Sequence, residues 1–234
     1  MNKIHRFESD ILKIEDLTPT VKNICISKPS DFKFSAGQFI TLIFNIDGKD
    51  MRRAYSIASD PSLGHIELCI KKVEGGLASN FLHNMKKGDK IKTIGPAGRF
   101  ILEGIEGEDI VFISTGTGIA PFRSMIFELL NLNYQGRIYL LNGFRYENEI
   151  LYKKELAELS EKHSNFINYT IISRPSESYI GEIGRVQNLI QNHIAENFEG
   201  RFFLCGLSEM VNDVKLFLLS KGIPQTKIHC ERYD

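Results

Sequence analysis

Residues 109–114, Asp-Ile-Val-Phe-Ile-Ser, form a short continuous apolar run that passes directly into Thr115-Gly116-Thr117-Gly118 and then into helical spacing over 121–131. A strand buried on both faces, a tight turn and a helix in that order open a strand–helix–strand unit. That commits the chain around it to a parallel sheet with helices on its faces. The same rhythm continues to the end. Residues 137–141, 166–173, 201–205 and 227–230 read as strands, and 149–163, 185–196 and 209–221 read as helices.

The preceding hundred residues are punctuated differently. Gly, Pro, Asp or Ser interrupts them roughly every 8 to 12 residues, leaving strands at 21–28, 38–45, 53–58, 65–72 and 90–95 and one helical interlude at 77–85. Such spacing predicts a small antiparallel β-barrel. The charged, Gly-containing stretch 103–108 separates the two patterns, so the expected division is 1–104 as an antiparallel β-barrel domain and 105–234 as an α/β parallel-sheet nucleotide-binding domain. A length of 234 residues suits two modest domains and needs no disulfide or metal staple.

Composition narrows the function. Lys and Arg number 29, as do Asp and Glu, and this balance argues against nucleic acid as a partner, which normally requires a basic excess. Cys25, Cys69, Cys205 and Cys230 are at least 25 residues apart, with no zinc or ferredoxin-type spacing, so any iron–sulfur centre is expected on a separate molecule. Scattered free thiols, no signal-peptide core at the start and no apolar run near membrane length read as a cytoplasmic chain without membrane insertion. The six histidines show no metal or triad spacing. Lys86, Lys87, Lys90 and Lys92 cluster around one strand, either as a solvated face or as a docking patch for an acidic carrier.

Three segments carry chemistry. The turn after the 109–114 run places glycines and free helix-start N–H groups where a phosphate can approach. Pro121 stands where the dinucleotide fingerprint has its third glycine, and 141–145, where an acidic ribose contact would fall, holds no carboxylate, which disfavours an ordinary NAD dehydrogenase. In Arg53-Ala54-Tyr55-Ser56 an Arg, a Tyr and a Ser at alternating strand positions offer a phosphate contact, a stacking surface and a hydroxyl along one ligand. Gly75-Gly76-Leu77-Ala78-Ser79 opens the one barrel helix as a second anion site. Two phosphate-type sites suggest two nucleotide-like ligands.

These segments resemble the ferredoxin–NADP reductase family of flavoproteins, in order and over nearly the whole chain. Arg53-Ala54-Tyr55-Ser56 is similar to its R-x-Y-S motif, Cys69-Ile70-Lys71 to its flavin-lining strand, and Gly76 to Ser79 to its G-x-x-S turn. Gly95-Pro96-Ala97-Gly98-Arg99-Phe100 resembles the end of its barrel. Gly116-Thr117-Gly118-Ile119-Ala120-Pro121-Phe122-Arg123-Ser124 resembles its nicotinamide signature. Cys205-Gly206-Leu207 with Met210, and His229-Cys230-Glu231-Arg232-Tyr233, resemble its two C-terminal segments.

The resemblance implies FAD as cofactor, NADP(H) as reductant with NAD(H) as an alternative, and a ferredoxin, flavodoxin or oxygenase component as electron partner. It implies that Arg53 binds flavin phosphate, Tyr55 stacks on the isoalloxazine and Ser56 sits near N5, with Gly76, Leu77, Ala78 and Ser79 on the pyrophosphate. FAD rather than FMN rests on that last turn. Thr115 and Gly116 to Pro121 would line the nicotinamide and its pyrophosphate, with Gly206 and Leu207 nearby and Cys205 beside the reacting carbon. Tyr233 would cover the other flavin face, and Glu231 would handle a proton near Ser56. Ser173 and Arg174 match the pair that holds the adenosine 2′-phosphate, and Ile183 and Arg185 stand where plant enzymes carry a Lys and an adenine-stacking Tyr; Arg185 can still pair with phosphate, which keeps NADPH the expected reductant. A carboxylate at Asp234 would lower the flavin potential. The expected activity is a ferredoxin- or flavodoxin-type NAD(P)H reductase. A small-molecule reductase acting on free flavin, a ferric complex or a quinone, and a non-catalytic flavin subunit, are the other readings.

Overall fold

The computed structural model describes residues 3–233. Asp234, and with it the expectation about its carboxylate, lies outside the described residues. The chain forms two compact units. One comprises the residues up to Leu102 together with Ala120–Glu128; the other comprises Glu103–Ile119 together with the residues from Leu129 onward.

In the first unit β1 (His5–Thr18), β2 (Val21–Ser27), β3 (Phe39–Ile46), β4 (Lys49–Ser56), β5 (His65–Lys71) and β6 (Lys90–Ala97) make a six-stranded sheet in the order β4-β3-β6-β1-β2-β5. Every neighbouring pair is antiparallel. The bridge Ile57–Leu68 joins the two outer strands, which closes the sheet as the expected barrel. Strand alternation fills the interior. Ile40, Leu42 and Phe44 on β3, Ile24 and Ile26 on β2, and Ile66, Leu68 and Ile70 on β5 are all buried in one cluster. Each such side chain contributes roughly 1.5–3 kcal/mol. Helix α1 (Leu77–Asn84) adds Leu82 to that cluster and lays Phe81 flat on Phe44, with ring centroids 4.8 Å apart.

β1 is not among the strands that the spacing predicts. It is long because it serves two neighbours: His5–Asp10 pairs with β6, and Ile11–Thr18 pairs with β2. Between them Ser9 and Thr93 share a buried hydroxyl pair at 2.9 Å.

The second unit is a parallel sheet of β7 (Ile110–Thr115), β8 (Ile138–Phe144), β9 (Phe166–Ile172), the short β10 (Glu182–Ile183), β11 (Arg201–Leu207) and β12 (Ile228–Tyr233), in the order β10-β9-β8-β7-β11-β12. Its helices are α2 (Ile119–Asn131), α3 (Lys153–Lys162), α4 (Val186–His193) and α5 (Ser208–Ser220). Val111 and Ile113 share one core with Val186, Leu189, Val211 and Val214 of α4 and α5, while Phe112 faces Phe203 at 5.7 Å. The chain runs one way from β7 to β10 and returns on the other side as β11 and β12, so the order reverses between β7 and β11.

Some boundaries shift from expectation for local reasons. α3 begins at Lys153 rather than 149, because Glu147–Glu149 form a separate 3₁₀ turn and Tyr152 adopts φ 53°, outside helical space. β10 was also not expected, since two residues are too short for a periodic signal. β12 runs to Tyr233, three residues beyond the expected end at 230.

The stretch 103–108 is pinned to its own sheet. Arg201 donates to Glu103 O and Gly104 O and pairs with Glu108, which also binds Lys227 Nζ at 2.7 Å. Those two cations hold the Glu108 carboxyl down at about 2. Among the described residues no helix is long and apolar enough to cross a membrane.

Candidate active site

The carboxyl ends of parallel strands, where the strand order reverses, form a crevice suited to ligands. Here that point lies between Thr115 at the end of β7 and Gly206 near the end of β11. Strand register adds β12: Cys205 faces Glu231, Gly206 faces Arg232 and Leu207 faces Tyr233. The structure thus brings together Thr115, Cys205, Gly206, Leu207, Glu231 and Tyr233.

The turn is built by close backbone approach. Gly116 takes φ +53°, and Gly116–Gly118 form one 3₁₀ turn ahead of Ile119, Ala120 and Pro121 in the first turn of α2. Pro121 is tolerated there because first-turn N–H groups lack intrahelical acceptors in any case. A Cβ on Gly118 would run into the Cys205 carbonyl and stand 2.9 Å from Gly206 Cα, so only glycine lets the turn lie against β11. Below the turn, Ser114 Oγ donates to Asn142 Oδ1 at 2.6 Å, and Asn142 Nδ2 donates to Asn168 Oδ1 at 3.0 Å. This buried ladder locks β7, β8 and β9 together.

Thr115 differs from these satisfied groups. Its Oγ1 is buried and has no hydrogen-bond partner among the described residues, and Thr115 makes no side-chain cap to the turn that follows it. A Cβ on Gly206 would lie 2.6 Å from that oxygen. A buried hydroxyl without a partner is destabilising, and one beside a glycine at a ligand crevice fits a group that arrives with the ligand.

Cys205 is fully buried. Burial first and the Glu231 charge second push its thiol well above the ordinary value, with a hydrogen bond to Tyr233 partly offsetting them. It is therefore a neutral thiol at physiological pH and no thiolate nucleophile.

Farther along the same edge, the ends of β8 and β9 border a cleft of about 770 Å³ that includes Arg174 in its lining. Ser173 and Arg174 are fixed by backbone bonds to Phe144 O at 3.0 Å and Arg145 O at 2.8 Å. Arg185 is not part of that lining. It caps α4, and its guanidinium lies 3.9 Å from Asp213. The sequence reading also missed a member of this cleft. The fingerprint puts an acidic ribose contact in 141–145, and Glu147 stands two residues beyond, in the lining. The signal available was an acidic residue in the loop directly after a buried strand.

In the barrel unit, Arg53 and Tyr55 alternate along β4, but Ser56 does not continue that series. It is adjacent to Tyr55, so it faces the other side of the strand, and it is buried. The antiparallel bridge Ile57–Leu68 instead sets Ser56 across from Cys69 on β5. The expected arrangement of three groups along one face is thus corrected to two on one face and a third at the β4–β5 seam. Arg53 is exposed. Burial pushes the Tyr55 phenol up to about 12, against a smaller lowering by Arg53, so Tyr55 remains a neutral ring. On β5, Cys69 and Ile70 are buried and Lys71 is exposed, and His83 Nε2 donates to Ile70 O at 2.9 Å.

The Gly76–Ser79 turn is also more self-contained than expected. Gly75 takes φ +70°, and Gly76 caps α1 without a side-chain cap. The Ser79 hydroxyl is engaged with its own loop, accepting from Val73 N–H at 3.0 Å and donating to Gly76 O at 3.2 Å. Backbone N–H groups at Leu77 and Ala78, rather than that hydroxyl, are then the donors that a helix start offers an anion. The lysine cluster is partly neutralised, since Lys90 pairs with Glu8 at 3.1 Å and Asp10 at 3.9 Å. Among the described residues no three metal-ligating side chains gather.

The profile of the Oxidoreductase FAD-binding domain family matches residues 11–101, and that of the Oxidoreductase NAD-binding domain family matches 112–216. The chain is 32% identical to ferredoxin–NADP reductase B of Sorangium cellulosum, across 97% of this chain and 98% of that protein. It is also 32% identical to the phenol hydroxylase P5 protein of Acinetobacter pittii, covering 98% of this chain but 66% of that one. A crystal structure of a ferredoxin NADP+ reductase from Neisseria gonorrhoeae with bound FAD and NADP superposes with a TM-score of 0.87 at 27% identity, over 97% of this chain and 98% of that one. With both nucleotide domains matched in order and a relative matched over nearly its full length, the chain belongs to the ferredoxin–NADP reductase family of flavin- and NAD(P)-dependent oxidoreductases.

Proposed function

We propose that this chain transfers electrons from NADPH through FAD to a one-electron carrier protein of the ferredoxin or flavodoxin kind, with 1–104 as the flavin domain and 105–234 as the nicotinamide domain. The observation that carries the nicotinamide half is the buried Thr115 hydroxyl, unpartnered beside Gly206 where the strand order reverses. Bound FAD supplies the chemistry, taking two electrons as hydride and releasing them singly.

The chain's own groups bind, orient and protect. Thr115, with Gly116 to Pro121, Gly206 and Leu207, offers the nicotinamide a hydroxyl, close backbone and helix-start N–H groups. Cys205, held neutral by burial, fills space beside it. Ser173 and Arg174 take the adenosine end. On the flavin side Arg53 supplies a phosphate contact and Tyr55 a flat neutral ring. Ser56 lies at the seam with Cys69, Ile70 and Lys71, and Gly76, Leu77, Ala78 and Ser79 present the anion-binding turn. Glu231 is assigned proton exchange and Tyr233 the covering ring.

A second reading has support of its own. The relative from Acinetobacter pittii is named for phenol hydroxylase, and another, 31% identical, is named glycine betaine monooxygenase reductase subunit from Pseudomonas aeruginosa. An oxygenase component is therefore the alternative acceptor. Anaerobic addition of NADPH to the yellow protein, followed by cytochrome c reduction with and without added ferredoxin or flavodoxin, tests both. Bleaching by NADPH and a rate that depends on the carrier are expected. Bleaching without any carrier dependence refutes the carrier assignment, and no bleaching refutes the reductase reading itself.

A further inference from the structure

Charge is balanced in the cleft at the ends of β8 and β9. Among its lining residues the charged ones are Arg174 and Glu147, one of each sign. Glu147 is held in place: its Oε1 accepts from Ser176 N–H at 2.8 Å and Ser176 Oγ–H at 2.7 Å, and Ser176 Oγ lies 3.1 Å from Ser178 Oγ. Those hydrogen bonds, the hydroxyl's foremost, also keep its pKa below the ordinary carboxylate range, so it is an anion throughout the physiological range. A neutral amide oxygen would accept the same two bonds. Bracing the loop therefore accounts for an acceptor at this position but not for its negative charge.

The charge matters to one class of ligand. A phosphomonoester carries about −1.5 to −2 at neutral pH, whereas a hydroxyl carries none. In a lining with one fixed cation and one fixed anion, a 2′-phosphate gains from Arg174 and loses to Glu147, while a 2′-hydroxyl is nearly indifferent to both. We propose that Glu147 is a specificity-determining residue, whose carboxylate offsets Arg174 and restrains this chain's preference for the nicotinamide nucleotide bearing a 2′-phosphate. This rests on the reading above, in which the cleft receives the adenosine end of NAD(P)H.

The test uses the flavin-loaded protein and compares wild type, Glu147→Gln and Arg174→Ala. For each, kcat/KM is measured with NADPH and NADH, and 2′,5′-ADP and ADP binding by calorimetry, at low and high salt. Glu147→Gln is expected to raise the NADPH-to-NADH ratio about 10-fold at low salt, the gain shrinking as salt screens the pair. It should tighten 2′,5′-ADP by a similar factor and leave ADP unchanged, while Arg174→Ala should lower the ratio. If NADPH and NADH shift together in Glu147→Gln, the carboxylate only braces Ser176 and the proposal is overturned, as it is if neither shifts. Wild-type flavin that neither nucleotide reduces would instead sink the reductase reading, and the proposal with it.

Discussion

Replacing Thr115 by Val tests whether its hydroxyl is kept for a ligand. The side chains are nearly the same shape, both suit the end of a strand, and the change exchanges Oγ1 for a methyl group. In the protein alone Oγ1 is buried without a partner, a state that costs about 1–3 kcal/mol for a polar group. Thr115→Val is therefore expected to stabilise the nucleotide-free protein by about 1 kcal/mol, a rise of roughly 2–4 °C in Tm for a chain of this size. On the proposed function the same change would also remove a hydrogen bond to the nucleotide, worth about 0.5–1.5 kcal/mol, and so weaken nucleotide binding roughly 2–12-fold. Thermal unfolding by circular dichroism of the flavin-loaded protein, paired with NADP+ titration followed through the flavin spectrum, reads both quantities. Opposite movement of stability and affinity is the expected signature. A variant with lower Tm and unchanged NADP+ affinity would show that the hydroxyl serves the fold, and the argument from its isolation would fail.

Glu108→Gln should destabilise the second unit at pH 7 by about 1–2 kcal/mol, a discounted figure because the carboxylate is 29% exposed. Since the folded pKa of about 2 lies below the ordinary 4.5, this contribution is complete above pH 4.5 and disappears as pH falls toward 2; urea unfolding across that range should show the wild-type advantage closing, and a pH-independent gap would refute it. Gly118→Ala drives a methyl group into the Cys205 carbonyl and should cost about 1–3 kcal/mol or more, seen as a lower Tm, whereas unchanged stability would mean the turn and β11 can separate freely. Ser79→Ala leaves Val73 N–H without its acceptor and should weaken the Val73–Gly76 loop by about 1–2 kcal/mol, read as faster flavin release in a fluorescence assay.

The sequence is most legible where burial is uniform. β7, β8 and β11 are continuous apolar runs because helices cover the sheet, and their parallel pairing follows from alternation with helices. β1 is illegible for the opposite reason. Its residues, from His5 through Glu8, Asp10, Glu15 and Asp16 to Thr18, carry charges on an exposed side, and its pairing changes partner halfway, so no single alternation describes it. At the site, Thr115, Gly206 and Tyr233 are legible through the resemblance of the segments that carry them, and all three lie at or next to the end of a strand. Glu147 could not be placed by counting from the fingerprint, since β8 extends to Phe144 and the carboxylate follows on a 3₁₀ turn. Ser56 follows Tyr55 directly, so the parity of β4 puts it on the opposite side from Arg53 and Tyr55. Arg185 offers a charge that suits phosphate, and the fold adds what no sequence pattern indicates, that it caps α4 beside Asp213.

The first unit contains Ala120–Glu128, a piece of chain that emerges after its last strand. Within that unit Arg123 reaches Glu67 at 2.5 Å and Ala58 O at 2.8 Å, and Phe122 lies 5.9 Å from Phe100. During synthesis the barrel strands are all available once Ala97 has left the ribosome, yet their cover is still 31 residues from complete at Glu128. At about 5–20 residues per second this leaves roughly 2–6 s in which Phe100 is without Phe122 and Glu67 without Arg123. A nascent chain stalled in that window presents an apolar surface beside a half-buried carboxylate that has not yet met its arginine. It is then a ready client for a chaperone, and a poor place at which to cut the protein in two.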